Sequence, residues 1–415
     1  MSDQDSDQDI DQELEVRRDL PGAKASEFPQ EIAGAPGSLA SASLTPEPPS
    51  PEQKSDAYRG LKWIFVGSDG LRAGWSVLLF VLMFLGIAQG LAYAFSKAHL
   101  LSRGDQFAPG AAFFGELVAF LAMVAAAALM ALIERRGSLM AYNLRGQRRI
   151  SHFFAGFAIG FLALSALIGA LAAGGWLQFG PVALSGAAIL KYCALWGAAF
   201  FLVGCVEEGL FRGYLQFTLT RGINFWIALG LVGLMCGDLL VRTMMGISHG
   251  NGVWGVYVIG LMGLVPCLLL HVNKVPGSNF WQAAWVTSTL FGLIHTGNNG
   301  ENWIGIFAAA AIGFVFCVSI WVTGSAWWAI GCHMAWDWAE TFFYGAADSG
   351  NVATGHYLST SPAGNALWSG GTDGPEGSLL VIGIIVLLLI VLLAIYRRRS
   401  LAIEPVMGRL EQTAG

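Results

Sequence analysis

The chain has 415 residues, 55% of them hydrophobic and 12% charged, with a formal net charge of −5 and a mean hydropathy of +0.57. A soluble domain of this length carries about a quarter charged residues, so the composition excludes an ordinary soluble fold and points to a polytopic membrane protein. Lys and Arg sit in short clusters beside apolar runs, with no basic stripe, which excludes a nucleic-acid partner.

Residues 1–58 are acidic and rich in Pro, Ser and Ala, opening with Asp3, Asp5, Asp7, Asp9 and Asp11 and closing near Pro46-Glu47-Pro48-Pro49. So little apolar surface cannot offset the entropy of folding, and a disordered tail is expected. The tail lacks the basic start and apolar core of a signal peptide, so the first span is expected to act as an uncleaved anchor. Beyond it, apolar runs long enough to cross a bilayer predict about ten spans. They lie near 75–95, 111–133, 153–175, 189–217, 225–241, 253–271, 280–296, 303–323, 326–344 and 378–396. The expected fold is all-α, a membrane helix bundle. N-terminal spans occupy 59–188, and a helix bundle holding the candidate chemistry occupies 189–345. A polar, Gly-rich extracytoplasmic loop follows at 346–377, then the last span at 378–396 and a basic tail at 397–415.

Basic residues set the orientation. Arg59, Lys62 and Arg72 precede the first span, Arg135, Arg136, Arg145, Arg148 and Arg149 follow the second, and Arg397, Arg398 and Arg399 follow the last. Stretches 176–188, 297–302 and 345–377 contain neither Lys nor Arg, although Lys97, Arg103 and Arg242 fall on their side. The expectation is an integral protein of the plasma (inner) membrane with both termini cytoplasmic. The six cysteines are scattered through apolar segments, with no CxxC pair, and read as small hydrophobic residues.

Ionisable residues inside spans are costly, about 2.5–3.5 kcal/mol each at a helix centre, so three clusters require explanation. The first is Glu207-Glu208-Gly209-Leu210-Phe211-Arg212 in the fourth span. Glu208 and Arg212 share a helical face as a supporting pair, while Glu207 is turned about 100° away and is free to act as a general base. The second is Phe291-Gly292-Leu293-Ile294-His295, in which Phe291 and His295 point the same way. The third is His333-Met334-Ala335-Trp336-Asp337, with Asp337 one turn after His333 and Glu340 continuing the stripe. A carboxylate beside an imidazole fixes its tautomer and raises its basicity.

Together these residues are an inventory for activating water. Glu207, His295 and His333 could hold a divalent metal such as Zn2+. Alternatively, Glu207 deprotonates water while the histidines stabilise the oxyanion without metal. HExxH is absent from the sequence, which excludes the metalloprotease mechanism that needs it. His99, His152, His249, His271 and His356 read as surface or interfacial. Asp238 and Arg242 read as a structural pair, and Glu116 in the second span faces either a cavity or a helix partner.

The ordered set Glu207-Glu208…Arg212, Phe291…His295 and His333…Asp337 resembles the family of CAAX-prenyl-protease and bacteriocin-processing (CPBP or Abi) intramembrane proteases. The resemblance covers roughly residues 190–345. It implies an all-helical bundle and peptide-bond hydrolysis by Glu-activated water. The catalytic set it implies is Glu207 as base with Glu208, His295, His333 and Asp337, supported by Arg212 and Phe291; Glu340 is added as structural support by its place on the His333–Asp337 stripe. Asp337 stands where the family often has Asn, so donation by an amide is lost there. The expected partners are the lipid bilayer and a peptide or protein substrate. The alternatives are a catalytically inactive immunity or scaffold protein of the same fold, and a proton-coupled transporter, which would bring inverted repeats that the sequence lacks. Simple alternation of spans sets Glu207 nearer the cytoplasm and His295 nearer the other side. Their convergence therefore requires the short seventh span to enter deeply, or a different span count.

Overall fold

The computed structural model describes residues 62–67, 70–101, 107–247, 252–298 and 300–412, with side chains beyond Tyr396 left undescribed. The predicted tail at 1–58 lies outside the described residues. Helices follow each expected span: α1 Ala73–Lys97, α2 Pro109–Ile133, α3 Arg149–Ala173, α4 Ala187–Glu208, α5 Phe225–Met244, α6 Gly252–Val272, α7 Ser278–His295, α8 Trp303–Thr323, α9 Trp327–Trp338 and α10 Leu380–Gln412. Seven helices among the described residues are long and apolar enough to cross a bilayer by length and composition: α1–α6 and α8. The chain is a polytopic membrane helix bundle. Among the described residues the strands form two short antiparallel pairs, β1 (Val66–Gly67) with β2 (Gly70–Leu71) and β3 (Leu177–Phe179) with the sequence-distant β4 (Thr360–Pro362).

Two helices depart from regular α geometry. α4 continues through a π-helical segment, Gly209–Leu215, into Gln216–Thr220, so that Ala187–Thr220 forms one helix of 34 residues. α9 likewise runs into a π turn, Ala339–Tyr344, and ends at Gly345 with φ +60°. A π turn shifts the hydrogen-bond ladder by one residue, and in an apolar interior each freed backbone group needs another partner. At the first π segment, Asn143 Nδ2 donates to the Arg212 carbonyl at 2.8 Å.

Lipid gives no hydrophobic drive for helices to pair, so close backbone approach at small residues sets which helices pack. α3 and α9 meet in this way. A Cβ at Gly156 would run into the Trp328 carbonyl, one at Gly160 into the Cys332 carbonyl, and one at Gly331 into the Phe153 carbonyl. Gly204 of α4 approaches the Ile330 carbonyl of α9, and Gly292 of α7 approaches the Ile306 carbonyl of α8. α9 is thereby held between α3 and α4.

The Gly-rich stretch 346–377 is folded. It supplies β4, a short helix Ala366–Ser369 and a 3-10 turn Pro375–Gly377. Thr354 N–H donates to the Phe107 carbonyl ahead of α2, and Trp196 Nε1 of α4 donates to the Thr354 carbonyl. His152 corrects an expectation: it is buried and packs edge-on to Tyr396, because α3 turns this face toward α10. Asp238 and Arg242 pair at 2.9 Å, about half exposed. All six cysteines are free.

Candidate active site

The three clusters border one cavity. Its volume is about 340 Å³, and its walls include Glu207, His295, His333 and Asp337. The span-alternation conflict is resolved by helix length. Glu207 sits in the interior of the 34-residue helix rather than at its end, and α7 is short enough for its last residue, His295, to reach the same space.

His333 is the hub. Its Nδ1 lies 2.9 Å from Glu208 Oε1, and its Nε2 lies 3.6 Å from Glu207 Oε2 and 3.4 Å from Asp337 Oδ2. Nδ1–H donation to Glu208 fixes the ring and directs Nε2 at the other two carboxylates. A proton carried at Nε2 would be held between these two carboxylates. The Glu207 side chain is 30% exposed, whereas Glu208 and Arg212 are fully buried.

Glu208 carries two tasks. It lies 3.3 Å from Arg212 Nε in the expected i, i+4 pair, and it also holds His333. Arg212 in turn donates to the Gly313 carbonyl at 3.4 Å and lies 4.4 Å from the centre of the Phe291 ring. Phe291 packs against His295 at 4.7 Å and edge-on to His333 at 6.0 Å. A buried cation over an aromatic face is attracted by the ring quadrupole, which fixes guanidinium and ring together. His295 Nδ1 lies 2.7 Å from the Phe291 carbonyl, an interaction in which Nδ1–H donates, leaving an Nε2 lone pair.

Glu340 departs from its expected place. The π turn from Ala339 rotates it off the His333–Asp337 stripe; it does not line the cavity, and both its carboxyl oxygens are buried without a hydrogen-bond partner. Glu207, His295 and His333, the candidate metal set, line the cavity without meeting as ligands around one point. Among the described residues no three His, Cys, Asp or Glu side chains meet as ligands. The donor set as arranged does not fit a metal site.

The cavity also has walls that the motifs do not reveal. Glu116 of α2 lines it, which resolves its two readings in favour of the cavity. Glu301, Asp348 and Glu376 line it from connecting segments. Trp336 Nε1 donates to Glu376 at 2.6 Å, and Thr341 Oγ1 donates to Asp348 at 2.9 Å. Glu301 and Asp373 face a common spot, since a Cβ at Gly305 would meet an oxygen of each. Burial, then the neighbouring Asp373 carboxylate, pushes Glu301 up to about 9. Burial, then the Glu376 carboxylate, pushes Asp373 up to about 8.

Residues 267–339 match a family model. Its description is Type II CAAX prenyl endopeptidase Rce1-like. The matched stretch runs from the end of α6 through α9 and carries Phe291, His295, His333 and Asp337; Glu207, Glu208 and Arg212 lie before it. No curated protein and no solved structure matches the chain. The match supports an intramembrane CAAX-type protease fold, and it covers the helices that bring both histidines to the cavity.

Proposed function

We propose that the chain is an intramembrane endopeptidase that hydrolyses peptide bonds of membrane-associated substrates with Glu207-activated water. One observation carries the reading: Glu207, His295 and His333, from three helices separated in sequence, line a single cavity. The chemistry follows from the hydrogen-bond pattern. His295, with Nδ1–H committed to Phe291, accepts a hydrogen bond from water through Nε2. Glu207 removes the water proton, and the oxygen attacks the substrate carbonyl carbon. His333, protonated at Nε2, donates a hydrogen bond to the developing oxyanion. As the C–N bond breaks, Glu207 returns its proton to the leaving amine. Glu208 and Arg212 hold His333, and Asp337 balances its charge.

The carboxylates sit within a bundle whose Lys- and Arg-free connections include 345–377. We place that loop outside the cytoplasm, in the plasma (inner) membrane, with both termini inside. The test is cleavage by the full chain in detergent or nanodiscs, using peptides derived from membrane-protein segments. Glu207→Gln and His333→Ala are each expected to lower kcat by ~100-fold or more. Melting temperature and elution should stay close to the parent in Glu207→Gln, whose side chain is partly exposed. Retained cleavage in Glu207→Gln would remove its role as base.

A further inference from the structure

Glu116 is not used by this chemistry, yet it lies in the same chamber. It projects from α2 one turn after Ala112, and both residues line the cavity. Among the described residues it has no hydrogen bond and no ion pair, although it lies within electrostatic reach of Glu207 and His333. A carboxylate inside a membrane helix is rare and normally has a partner.

The surroundings say which partner is missing. Carboxyl groups of Glu116, Glu207, Glu301, Asp337, Asp348 and Glu376 border the cavity, and among the described residues no Lys or Arg does. The nearby cation, Arg212, is sealed away: it is fully buried, within ion-pair distance of Glu208, and covered by the Phe291 ring. The Glu116 carboxyl is therefore open to whatever enters. Elsewhere the wall is apolar, with Phe107, Phe200, Val203 and Ile312. No three described side chains meet as metal ligands, so the geometry favours an organic cation over a bare ion.

We propose that Glu116 is a specificity residue, pairing with a Lys or Arg side chain close to the cut bond of the substrate. This rests on the endopeptidase reading and names its substrate class: apolar segments that carry a basic residue. Charge complementarity of this kind selects one substrate over another by attracting the cation and repelling a carboxylate.

The experiment uses the full chain in nanodiscs and short fluorescent peptides of one apolar sequence, with a single Lys, norleucine or Glu moved through every position. Cleavage is measured as kcat/KM, and binding separately by fluorescence anisotropy with the Glu207→Gln chain. At one position or a few, Lys should exceed norleucine by about tenfold or more, and Glu should fall below both. Glu116→Gln should bring the Lys-to-norleucine ratio toward one, and Glu116→Lys should invert the order in favour of Glu. A ratio unchanged in Glu116→Gln, an equal loss for all three peptides, or no preference in the parent would overturn the proposal. If no peptide is cut but Lys-selective binding persists and depends on Glu116, the hydrolysis reading fails while the charge selection stands. If peptides are cut without preference, the reverse holds.

Discussion

At the scale of single residues, the candidate site is a relay of fixed contacts: Gly313 leaves space for Arg212, Arg212 holds Glu208, and Glu208 holds His333. A Cβ at Gly313 would run into Arg212 Nη2. The guanidinium cannot swing away freely, because Phe291 lies 4.4 Å from it and Phe316 lies 5.5 Å away. Gly313→Ala is therefore expected to displace Arg212, loosen Glu208 from His333, and lower kcat by ~10-fold or more at a stability cost of roughly 1–3 kcal/mol. Gly383→Ala, where a Cβ meets nothing within 4 Å, serves as the control and should leave kcat unchanged. Equal kcat in both variants would show that Arg212 does not transmit strain to His333. The motif residues were legible in the sequence because each cluster is local, three to five positions apart on one helix face. The Glu208–His333 contact was not, since it joins residues 125 positions apart. Glu301, Asp348 and Glu376 were illegible for the same reason.

At the scale of elements, two features position the site. The first is the glycine seam between α3 and α9. Gly160→Val would push its side chain against the Cys332 carbonyl, next to His333, where backbone cannot yield as a flexible side chain can. Melting temperature and cleavage should fall together in Gly160→Val, whereas Gly169→Val, with open space at its Cβ, should change neither. The second feature is the acid pair under the folded loop. Glu301 is raised to about 9 by burial and the Asp373 carboxylate, and Asp373 to about 8 by burial and the Glu376 carboxylate. The folded state then binds more protons than the unfolded state from the ordinary carboxyl range up to those values. Stability is greatest at the acid end of that window and falls as pH rises through it, by up to about 1.4 kcal/mol per pH unit for each proton. Thermal unfolding in nanodiscs should show a lower melting temperature at pH 9 than at pH 6, and Glu301→Gln should flatten the slope. A melting temperature that rises over this interval would contradict the protonated pair. Helix positions were readable from apolar run length. The π turns were not, because they leave no composition signature, and the loop's order was masked by its glycines.

At the scale of the whole molecule, the charge asymmetry across the bundle makes a claim that cells can test. If each helix crosses once, the connections at 134–148, 221–224 and 273–277 share one side, and they contain Arg135, Arg136, Arg145, Arg148, Arg221 and Lys274. The connections at 174–186, 296–302 and 345–379 share the other, and they contain no Lys or Arg. Basic residues are retained on the cytoplasmic side, and this rule predicts that the cavity wall supplied by Asp348 and Glu376 faces outward and the long end of α4 inward. Single cysteines in a cysteine-free chain can report this. Ser361→Cys, exposed in β4, should react with a membrane-impermeant maleimide applied to intact cells. Arg145→Cys, exposed in the α2–α3 connection, should react only after the cells are opened. Opposite labelling would invert the topology and bring the acid-rich mouth to the cytoplasm, where the basic flanks of membrane segments are concentrated. The outward orientation instead restricts Glu116 to cations that reach the chamber from the far side or along the bilayer, which confines its substrates to membrane-inserted chains.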